Sequence, residues 1–375
     1  MNLQTPAPIQ KSVDETKVDY VRLGTSGLRV SIPILGAMFM GHPGSFPGIM
    51  AEEESLEILK AAYDRGINTW DTANMYSNGV SEEILGKAIK KYNIPRHKVV
   101  IMTKCSEYVA EDPTILAPIF AKAMSGTKDY VNTAGKRCCR TFTVPYFIDS
   151  YQGPSRTAIF NAVDASLARL GIDYIDVLQL HRYDGSALPE ETMKALHDLV
   201  QSGKVRYIGA SSMWATQFAT LQFTAEKNGW TKFISMQNYY NLCYREEERE
   251  MIRFCNETGV GIIPWSPLQG GKLAKPLGVE DSVRSKVNTS GMLSPLTDES
   301  ALIIQRVEEV ATKKGWSMAQ VGLVWLKMKG TVPTTGINSI ARIDEAASLR
   351  GKELTAEEMS FLEEPYKPKP IAGHY

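Results

Sequence analysis

The sequence predicts an α/β fold, a (β/α)8 TIM barrel, and two observations support that prediction. Short apolar segments alternate with amphipathic helical segments from about residue 30 onward, which is typical of parallel strands joined by helices. Eight such apolar segments can be counted, the number that closes a TIM barrel. Glycine recurs where the helical segments stop, as expected for left-handed helix ends.

The elements follow in order along the chain. The predicted strands are 31–38, 68–73, 99–105, 176–181, 205–211, 233–237, 261–265 and 331–335. The predicted helices are 51–65, 81–92, 157–170, 189–201, 216–228, 246–258, 300–314, 318–329 and 340–349. Ser81 is expected to cap the second helix. Residues 21–30, with Gly24 and Gly27 in a turn, predict an N-terminal β-hairpin. The charge run Arg245–Glu250 predicts a solvated helix start.

One barrel domain accounts for most of the chain. We expect residues 1–19 to form a flexible tail, residues 20–352 the barrel, and residues 353–375 a C-terminal helix and tail. Two connections, 106–156 and 267–299, are longer than usual and follow strand ends, which places both long loops on the C-terminal face.

Residues 136–152, inside the first long loop, differ abruptly in composition and show neither helical nor strand periodicity. Two interpretations stay open for this insert: a translated intron, or a genuine extension of a substrate loop.

The composition excludes several classes of protein. The 42 basic and 42 acidic side chains cancel, so no electrostatic attraction to nucleic acid or an anionic membrane is expected. No apolar run reaches the roughly 18 residues of a spanning helix. The five cysteines include no C-x-x-C pair, which favours reduced thiols in the cytoplasm. The five histidines lack metal-ligand spacing, so no metal is expected. No G-x-G-x-x-G follows a strand, which argues against a Rossmann dehydrogenase.

Four residues with catalytic chemistry lie at or just after predicted strand ends: Asp71, Tyr76, Lys104 and His181. The C-terminal ends of the strands converge on one face of a parallel barrel, and active sites lie there. A free phenol has a pKa near about 10, too high for ready proton exchange at neutral pH. An ammonium close to it favours the phenolate, and a carboxylate holds that ammonium in place. The pattern predicts proton transfer by Tyr76.

The motifs around these residues resemble those of the aldo-keto reductases. The matching runs are Gly66–Tyr76, Gly79–Gly86, Gln179–Arg182 and Lys204–Ser212. The likeness extends over roughly residues 20–350 and is to fungal members of the versiconal hemiacetal acetate reductase and aryl-alcohol dehydrogenase types.

The resemblance implies NADPH-dependent reduction of an aldehyde or ketone to an alcohol, in fungal secondary or xenobiotic metabolism. It implies that Tyr76 is the acid, that Lys104 and Asp71 tune it, and that His181 orients the substrate carbonyl. The alternative from a different class is a non-catalytic regulatory subunit that binds NADPH on the same fold. The complete tetrad favours the enzyme.

The resemblance also implies a set of cofactor residues. These are Ser211, Ser212 and Gln237 for the nicotinamide amide, Trp265 for stacking on the nicotinamide, Ser266, Leu268 and Gly270 for the pyrophosphate, and Asn338, Ser339, Arg342 and Glu345 for the adenosine phosphate. Departures from the family pattern include Ser212 for a common Asn and Trp265 for a common Tyr. A helix start at Ser339 and the fork of Arg342 suit a 2′-phosphate, so NADP is predicted over NAD.

Residues at the mouth are expected to contact the substrate, with barrel core or solvent exposure as the alternative for each. They are Met38, Phe39, Tyr108 and Trp214, placed after the first, third and fifth barrel strands. The expected partner is a small carbonyl compound, and the chain is expected to be a monomer or weak homo-oligomer.

Overall fold

The computed structural model describes residues 17–45, 47–114, 153–279 and 293–374. The strands are β1 (Asp19–Arg22), β2 (Arg29–Ile32), β3 (Ile34–Gly36), β4 (Thr69–Asp71), β5 (Val100–Cys105), β6 (Ile175–Leu180), β7 (Val205–Ser211), β8 (Ser235–Gln237), β9 (Gly261–Ile262) and β10 (Thr334–Thr335). The α-helices are α1 (Glu52–Asp64), α2 (Val80–Lys91), α3 (Arg156–Leu170), α4 (Pro189–Gln201), α5 (Ala215–Lys227), α6 (Met251–Thr258), α7 (Asp298–Lys314), α8 (Met318–Met328), α9 (Ile340–Ala347) and α10 (Ala356–Glu363).

Strands β3 to β10 form one curled sheet in the order β10-β3-β4-β5-β6-β7-β8-β9. Every neighbouring pair is parallel. Beyond the ladder, Val332 N donates to Ile262 O at 2.9 Å and Thr334 N to Pro264 O at 2.8 Å. These bonds join the β9 and β10 edges, so the sheet closes on itself. The predicted (β/α)8 barrel is confirmed.

The predicted hairpin is also present. β1 pairs antiparallel with β2, with Asp19 opposite Ile32 and Arg22 opposite Arg29. Side chains of the hairpin and of the barrel interior form one buried apolar cluster: Leu23, Val30, Ile32, Ile34, Met102, Val177, Ile263 and Val332. Because Ile34, Met102 and Val177 lie in the first halves of their strands and Val332 precedes β10, the hairpin closes the N-terminal end. The C-terminal ends are left for a site.

The predicted strand 31–38 is wrong in its bounds. Residues up to Ile32 belong to the hairpin, and the barrel strand begins at Ile34. Pro33 lies between them and has no N–H for a ladder.

The turn of the hairpin requires glycine at position 24. Gly24 has a φ of +59°, and a Cβ there would lie 2.3 Å from Gly259 O. Thr25 N donates to that same oxygen at 2.8 Å. The missing side chain lets the turn lie directly against the end of α6.

Ser81 does not cap helix α2, contrary to the prediction. The helix begins at Val80 after Gly79, whose φ is 100°, and no side chain caps it. The Ser81 hydroxyl instead lies 2.8 Å from the Thr72 hydroxyl and donates to Ala37 O at 3.0 Å. It therefore ties the helix to the segments that follow β3 and β4.

No helix in the described part of the chain is long and apolar enough to cross a membrane.

Candidate active site

A buried ion pair joins the ends of β4 and β5. Lys104 Nζ lies 2.6 Å from Asp71 Oδ2 and donates to Thr72 O at 2.8 Å. Lys104 is fully buried and Asp71 is 2% exposed. Burial disfavours the ammonium, but the charge and hydrogen bond of Asp71, with a contribution from Tyr76, outweigh it and raise the pKa of Lys104 above its ordinary value. The lysine is therefore a cation at neutral pH.

Tyr76 lies beside this pair, with its hydroxyl 3.5 Å from Lys104 Nζ. It opens a short 3-10 turn, Tyr76–Gly79, in which Ser77 and Asn78 have positive φ of 47° and 50°. The Asn78 side chain accepts from Ala110 N at 3.0 Å and donates to Asp112 O at 3.1 Å. The loop after β5 thus holds the turn that carries the phenol.

Burial raises the pKa of Tyr76, and the charge of Lys104 offsets only part of this effect. Asp71 acts in the same direction as burial, while Arg182 acts in the same direction as Lys104. The net pKa is above the ordinary value of a phenol. Tyr76 is therefore protonated at neutral pH, which is the state a proton donor needs.

His181 follows β6 and faces the phenol edge-on, with ring centroids 5.9 Å apart and planes at 81°. Its backbone N–H donates to Cys105 O at 3.1 Å. Burial, together with the charges of Arg182 and Lys104, lowers the pKa of His181 well below 6.5, so the imidazole is neutral. Nδ1 of His181 is buried and has no hydrogen-bond partner among the described residues.

Two glutamines complete the surroundings of Asp71. Gln179 Nε2 and Gln237 Nε2 donate to Asp71 Oδ1 at 2.7 and 3.1 Å, and Gln237 Nε2 also donates to Gln179 Oε1 at 3.0 Å. Gln237 is among the residues that the sequence predicts for the site, whereas Gln179 is not. The missed signal is the two-residue period of a strand: Gln179 stands two residues before His181 and faces the same side.

The residues predicted to hold the nicotinamide lie together after β7, β8 and β9. Ser211 Oγ donates to Gln237 O at 2.8 Å, and Ser212 Oγ accepts from Trp265 Nε1 at 2.9 Å. The Trp265 ring stacks on Tyr239 at 4.6 Å between centroids, and Tyr239 stacks on Tyr244 at 4.2 Å. Trp265 remains half-buried.

The predicted pyrophosphate residues lie in the segment after β9. Gly270 N donates to Ser266 Oγ at 3.2 Å, which draws the segment into a tight turn. Ser266 and Gly270 have positive φ of 51° and 62°. Leu268 approaches Gly322, where a Cβ would lie 2.9 Å from Leu268 Cδ2. The loop therefore packs against helix α8.

The predicted adenosine-phosphate residues lie at the start of α9. Ser339 caps this helix by accepting from Arg342 N at 3.4 Å. Arg342 is exposed, and its Nη1 donates to Asn338 Oδ1 at 2.7 Å. Glu345 is half-buried in the same helix. A helix N-terminus, an exposed guanidinium and a carboxylate therefore share one short segment.

The predicted substrate residues differ in burial. Phe39 is buried at 6% exposure, Met38 and Tyr108 are half-buried, and Trp214 is 42% exposed. Trp214 stacks on His374, with centroids 5.1 Å apart.

The charge run after β8 is not the solvated helix start that the sequence predicts. Glu246 and Glu247 are buried, and the α-helix begins only at Met251. Glu246 accepts from Tyr366 Oη at 2.6 Å and from Lys369 N at 2.8 Å. Glu247 pairs with His374. The two glutamates are buried because the segment 366–374 folds over them and supplies hydrogen-bond partners.

The insert 136–152 lies outside the described residues, as does most of the loop 106–156 around it.

The chain is similar to known proteins along almost its whole length. The model of the Aldo/keto reductase family matches residues 34–367. The chain is 51% identical over 377 residues to aldo-keto reductase AMT2 of Alternaria alternata, covering 99% of this chain and 98% of that protein. It is 49% identical over 360 residues to versiconal hemiacetal acetate reductase of Aspergillus parasiticus, covering 94% and 98%. It is 42% identical over 359 residues to putative aryl-alcohol dehydrogenase AAD16 of Saccharomyces cerevisiae, also covering 94% and 98%.

Both the family model and these relatives span the strand ends from which Asp71, Tyr76, Lys104 and His181 project. The barrel topology and the similarity along almost the whole chain agree. The chain belongs to the aldo/keto reductase family of oxidoreductases.

Proposed function

We propose that this protein reduces the carbonyl group of a small aldehyde or ketone with NADPH, and that Tyr76 donates the proton. The observation that supports the proposal is the buried constellation in which the Tyr76 hydroxyl lies 3.5 Å from the ammonium of Lys104. A neutral imidazole stands across from the phenol. A purely structural barrel gains nothing from burying a charged pair beneath a protonated tyrosine, since such a pair carries a desolvation cost.

The residues present suit a nicotinamide cofactor. Gln237 Nε2 donates its hydrogens to Asp71 and Gln179, and the Ser211 hydroxyl donates to Gln237 O. The remaining lone pairs of Gln237 Oε1 and Ser211 Oγ can accept the N–H groups of a carboxamide. Trp265 offers a ring face for stacking. A reduced nicotinamide, when bound, supplies the hydride that carbonyl reduction requires.

Tyr76 and His181 divide the work at the carbonyl. A neutral His181 presents one N–H, which can orient the substrate oxygen. Tyr76 gives its proton to the oxygen as negative charge develops there. Lys104 stabilises the phenolate that this transfer leaves behind, and Asp71 keeps the lysine charged.

The preference for NADPH rests on Arg342 and the N-terminus of α9. The guanidinium is exposed beside Ser339, where it can form a fork with a 2′-phosphate. Asn338 holds Arg342 at the start of the helix, and a helix N-terminus favours an anion.

The biological setting follows from the relatives and the cysteines. One relative is named as a reductase of versiconal hemiacetal acetate, so we propose a carbonyl or hemiacetal substrate in fungal secondary or xenobiotic metabolism. Cys105, Cys243 and Cys255 are buried and unpaired, which suits the reducing cytoplasm. A monomer or weak homo-oligomer is proposed, and size-exclusion chromatography with light scattering tests it.

The deciding experiment replaces Tyr76 by Phe. Tyr76→Phe should keep NADPH binding, measured by fluorescence, and lose 4-nitrobenzaldehyde reduction by about 10²-fold or more, the scale of general acid catalysis. Tyr92→Phe, at the outer end of α2, is the matched control and should match wild type. Near-normal turnover by Tyr76→Phe would refute the assignment. A wild-type protein that binds NADPH but consumes none with any aldehyde would favour the non-catalytic alternative.

A further inference from the structure

Arg182 is the residue next to His181, and its side chain turns back into the site. Its Nη1 donates to the backbone carbonyl of His181 at 2.6 Å and to Ser211 Oγ at 3.2 Å. One guanidinium nitrogen thus bridges the end of β6 and the end of β7. The bond is made to the same residue whose imidazole faces Tyr76.

The bridge bears on how the imidazole of His181 is held in place. Its Nδ1 is buried without a partner in the part of the chain described. Both backbone polar groups of His181 are held, the N–H by Cys105 O and the C=O by Arg182. The direction of the ring is therefore set through the backbone, and Arg182 supplies one of the two constraints.

Arg182 also connects His181 to the opposite side of the site. Ser211 Oγ accepts from Arg182 and donates to Gln237 O. Gln237 Nε2 in turn donates to Asp71, which holds Lys104. Hydrogen bonds through Ser211 and through the backbone and side chain of Gln237 therefore link the backbone of His181 to the ammonium beside Tyr76.

We propose that Arg182 is a positioning residue that fixes His181 and Ser211 relative to each other. The inference rests on the proposed function, in which His181 orients the carbonyl and Ser211 holds the nicotinamide. Hydride transfer requires these two groups at a fixed separation, since a misplacement of 1 Å costs about 10²-fold in rate. The role is distinct from that of the four proton-transfer residues, because Arg182 acts by holding the backbone of His181 and the hydroxyl of Ser211.

The charge of Arg182 acts on nearby titratable groups, so the pH profile provides a readout that a merely structural residue would not change. The charge of Arg182 contributes to lowering the pKa of His181, along with burial and Lys104. Burial raises the pKa of Tyr76; the charges of Lys104 and Arg182 lower it, and that of Asp71 raises it further. Burial raises the pKa of Glu107, in the segment after β5; the charge of Arg182 opposes this rise, and that of Asp184, in the segment after β6, adds to it.

The test compares Arg182→Met, which removes the charge and the donor, with Arg182→Lys, which keeps the charge on a shorter side chain. Arg182→Met should lower kcat for aldehyde reduction by about 10- to 100-fold and weaken NADPH binding measurably. Its acidic limb in kcat/KM should move to higher pH, because His181 protonates more easily. Arg182→Lys should recover part of kcat and keep the wild-type limb. Arg253→Lys, on the exposed face of α6, is the control.

Two results would overturn the proposal. One is an Arg182→Met protein with wild-type kcat, NADPH affinity and pH profile. The other is an equal loss of kcat in both variants that parallels a lowered melting temperature and leaves the pH profile unchanged. That result would indicate that Arg182 only stabilises the fold. Failure of the proposed function is separate, since it shows as a wild-type protein without aldehyde reduction. In that case NADPH affinity still decides the role of Arg182, because Arg182→Met must bind more weakly than Arg182→Lys.

Discussion

Replacing Asp71 by Asn should destabilise the barrel far more than the loss of one hydrogen bond would suggest. The carboxylate accepts from Lys104 through Oδ2 and from Gln179 and Gln237 through Oδ1. An asparagine has one acceptor end and one donor end. Its NH2 group must face either the ammonium of Lys104 or the two glutamine amides, so donor faces donor in both orientations. The second clash is removed only if both glutamine amides rotate.

The size of the effect follows from burial. Lys104 is fully buried, so the substitution leaves an ammonium without a counter-charge in the interior. Removing one partner of a buried ion pair costs about 3–5 kcal/mol. Natural domains are stable by only about 5–15 kcal/mol, so Asp71→Asn should shift the unfolding midpoint substantially.

The assay is urea unfolding followed by far-UV circular dichroism at pH 7.5, with Asp71→Asn, Lys104→Met and the double variant. Removing both partners eliminates the stranded charge. The double variant should therefore be more stable than the sum of the single losses predicts, by about 2 kcal/mol or more. Asp344→Asn, which breaks a surface pair with Arg65, should leave the midpoint almost unchanged.

Additive losses in the double variant would refute this reasoning. They would mean that Asp71 and Lys104 stabilise the barrel independently, for example because water enters and solvates the ammonium once the carboxylate is gone. An Asp71→Asn protein as stable as the surface variant would refute it more directly.

Three further predictions follow from the same contacts. Arg342→Ala should lower the preference for NADPH over NADH by about 10-fold or more, since a charge-assisted hydrogen bond contributes about 1.5–3 kcal/mol. A ratio of the KM values for NADH and NADPH that the substitution leaves unchanged would contradict this prediction. Glu246→Ala should cost about 2 kcal/mol in urea unfolding, because Tyr366 and Lys369 lose their acceptor, whereas exposed Glu250→Ala should change little. Alcohol oxidation with NADP should rise with pH from 7 to 9 while aldehyde reduction stays nearly flat, because the raised pKa of Tyr76 keeps the phenolate scarce; a flat oxidation profile would contradict that assignment.

Much of the site could be predicted because its residues stand at strand ends. An apolar run that ends in a polar residue marks a C-terminal end, and barrel topology brings those ends together. Lys104 and His181 were visible this way, since the runs that lead to them are unbroken. The family resemblance then supplied Ser211 and Gln237, which no periodicity distinguishes from ordinary polar strand residues.

Other features could not be predicted because they depend on contacts between distant segments. The burial of Glu246 and Glu247 requires residues 366–374, more than 100 positions away. A run of like charges usually lies in solvent, and nothing local to this run indicates the segment that covers it. The bridge made by Arg182 likewise depends on the spacing between β6 and β7, which only the closed sheet defines.

The burial of Tyr76 bears on the direction of the reaction for which the site is suited. The phenol is 8% exposed, and its pKa is raised, so under the proposed mechanism it begins the reduction in the protonated form that a proton donor needs. When it releases its proton, the charges of Lys104 and Arg182 stabilise the phenolate inside the barrel, where their effect is stronger than in water. In oxidation the order is reversed, because the phenol must ionise before the alcohol can react. Asp71 opposes that ionisation, although the same carboxylate favours the buried ammonium of Lys104, which stabilises the phenolate. Under the proposed mechanism, this arrangement therefore favours carbonyl reduction at neutral pH, and alcohol oxidation by the same four side chains should become faster in alkaline solution.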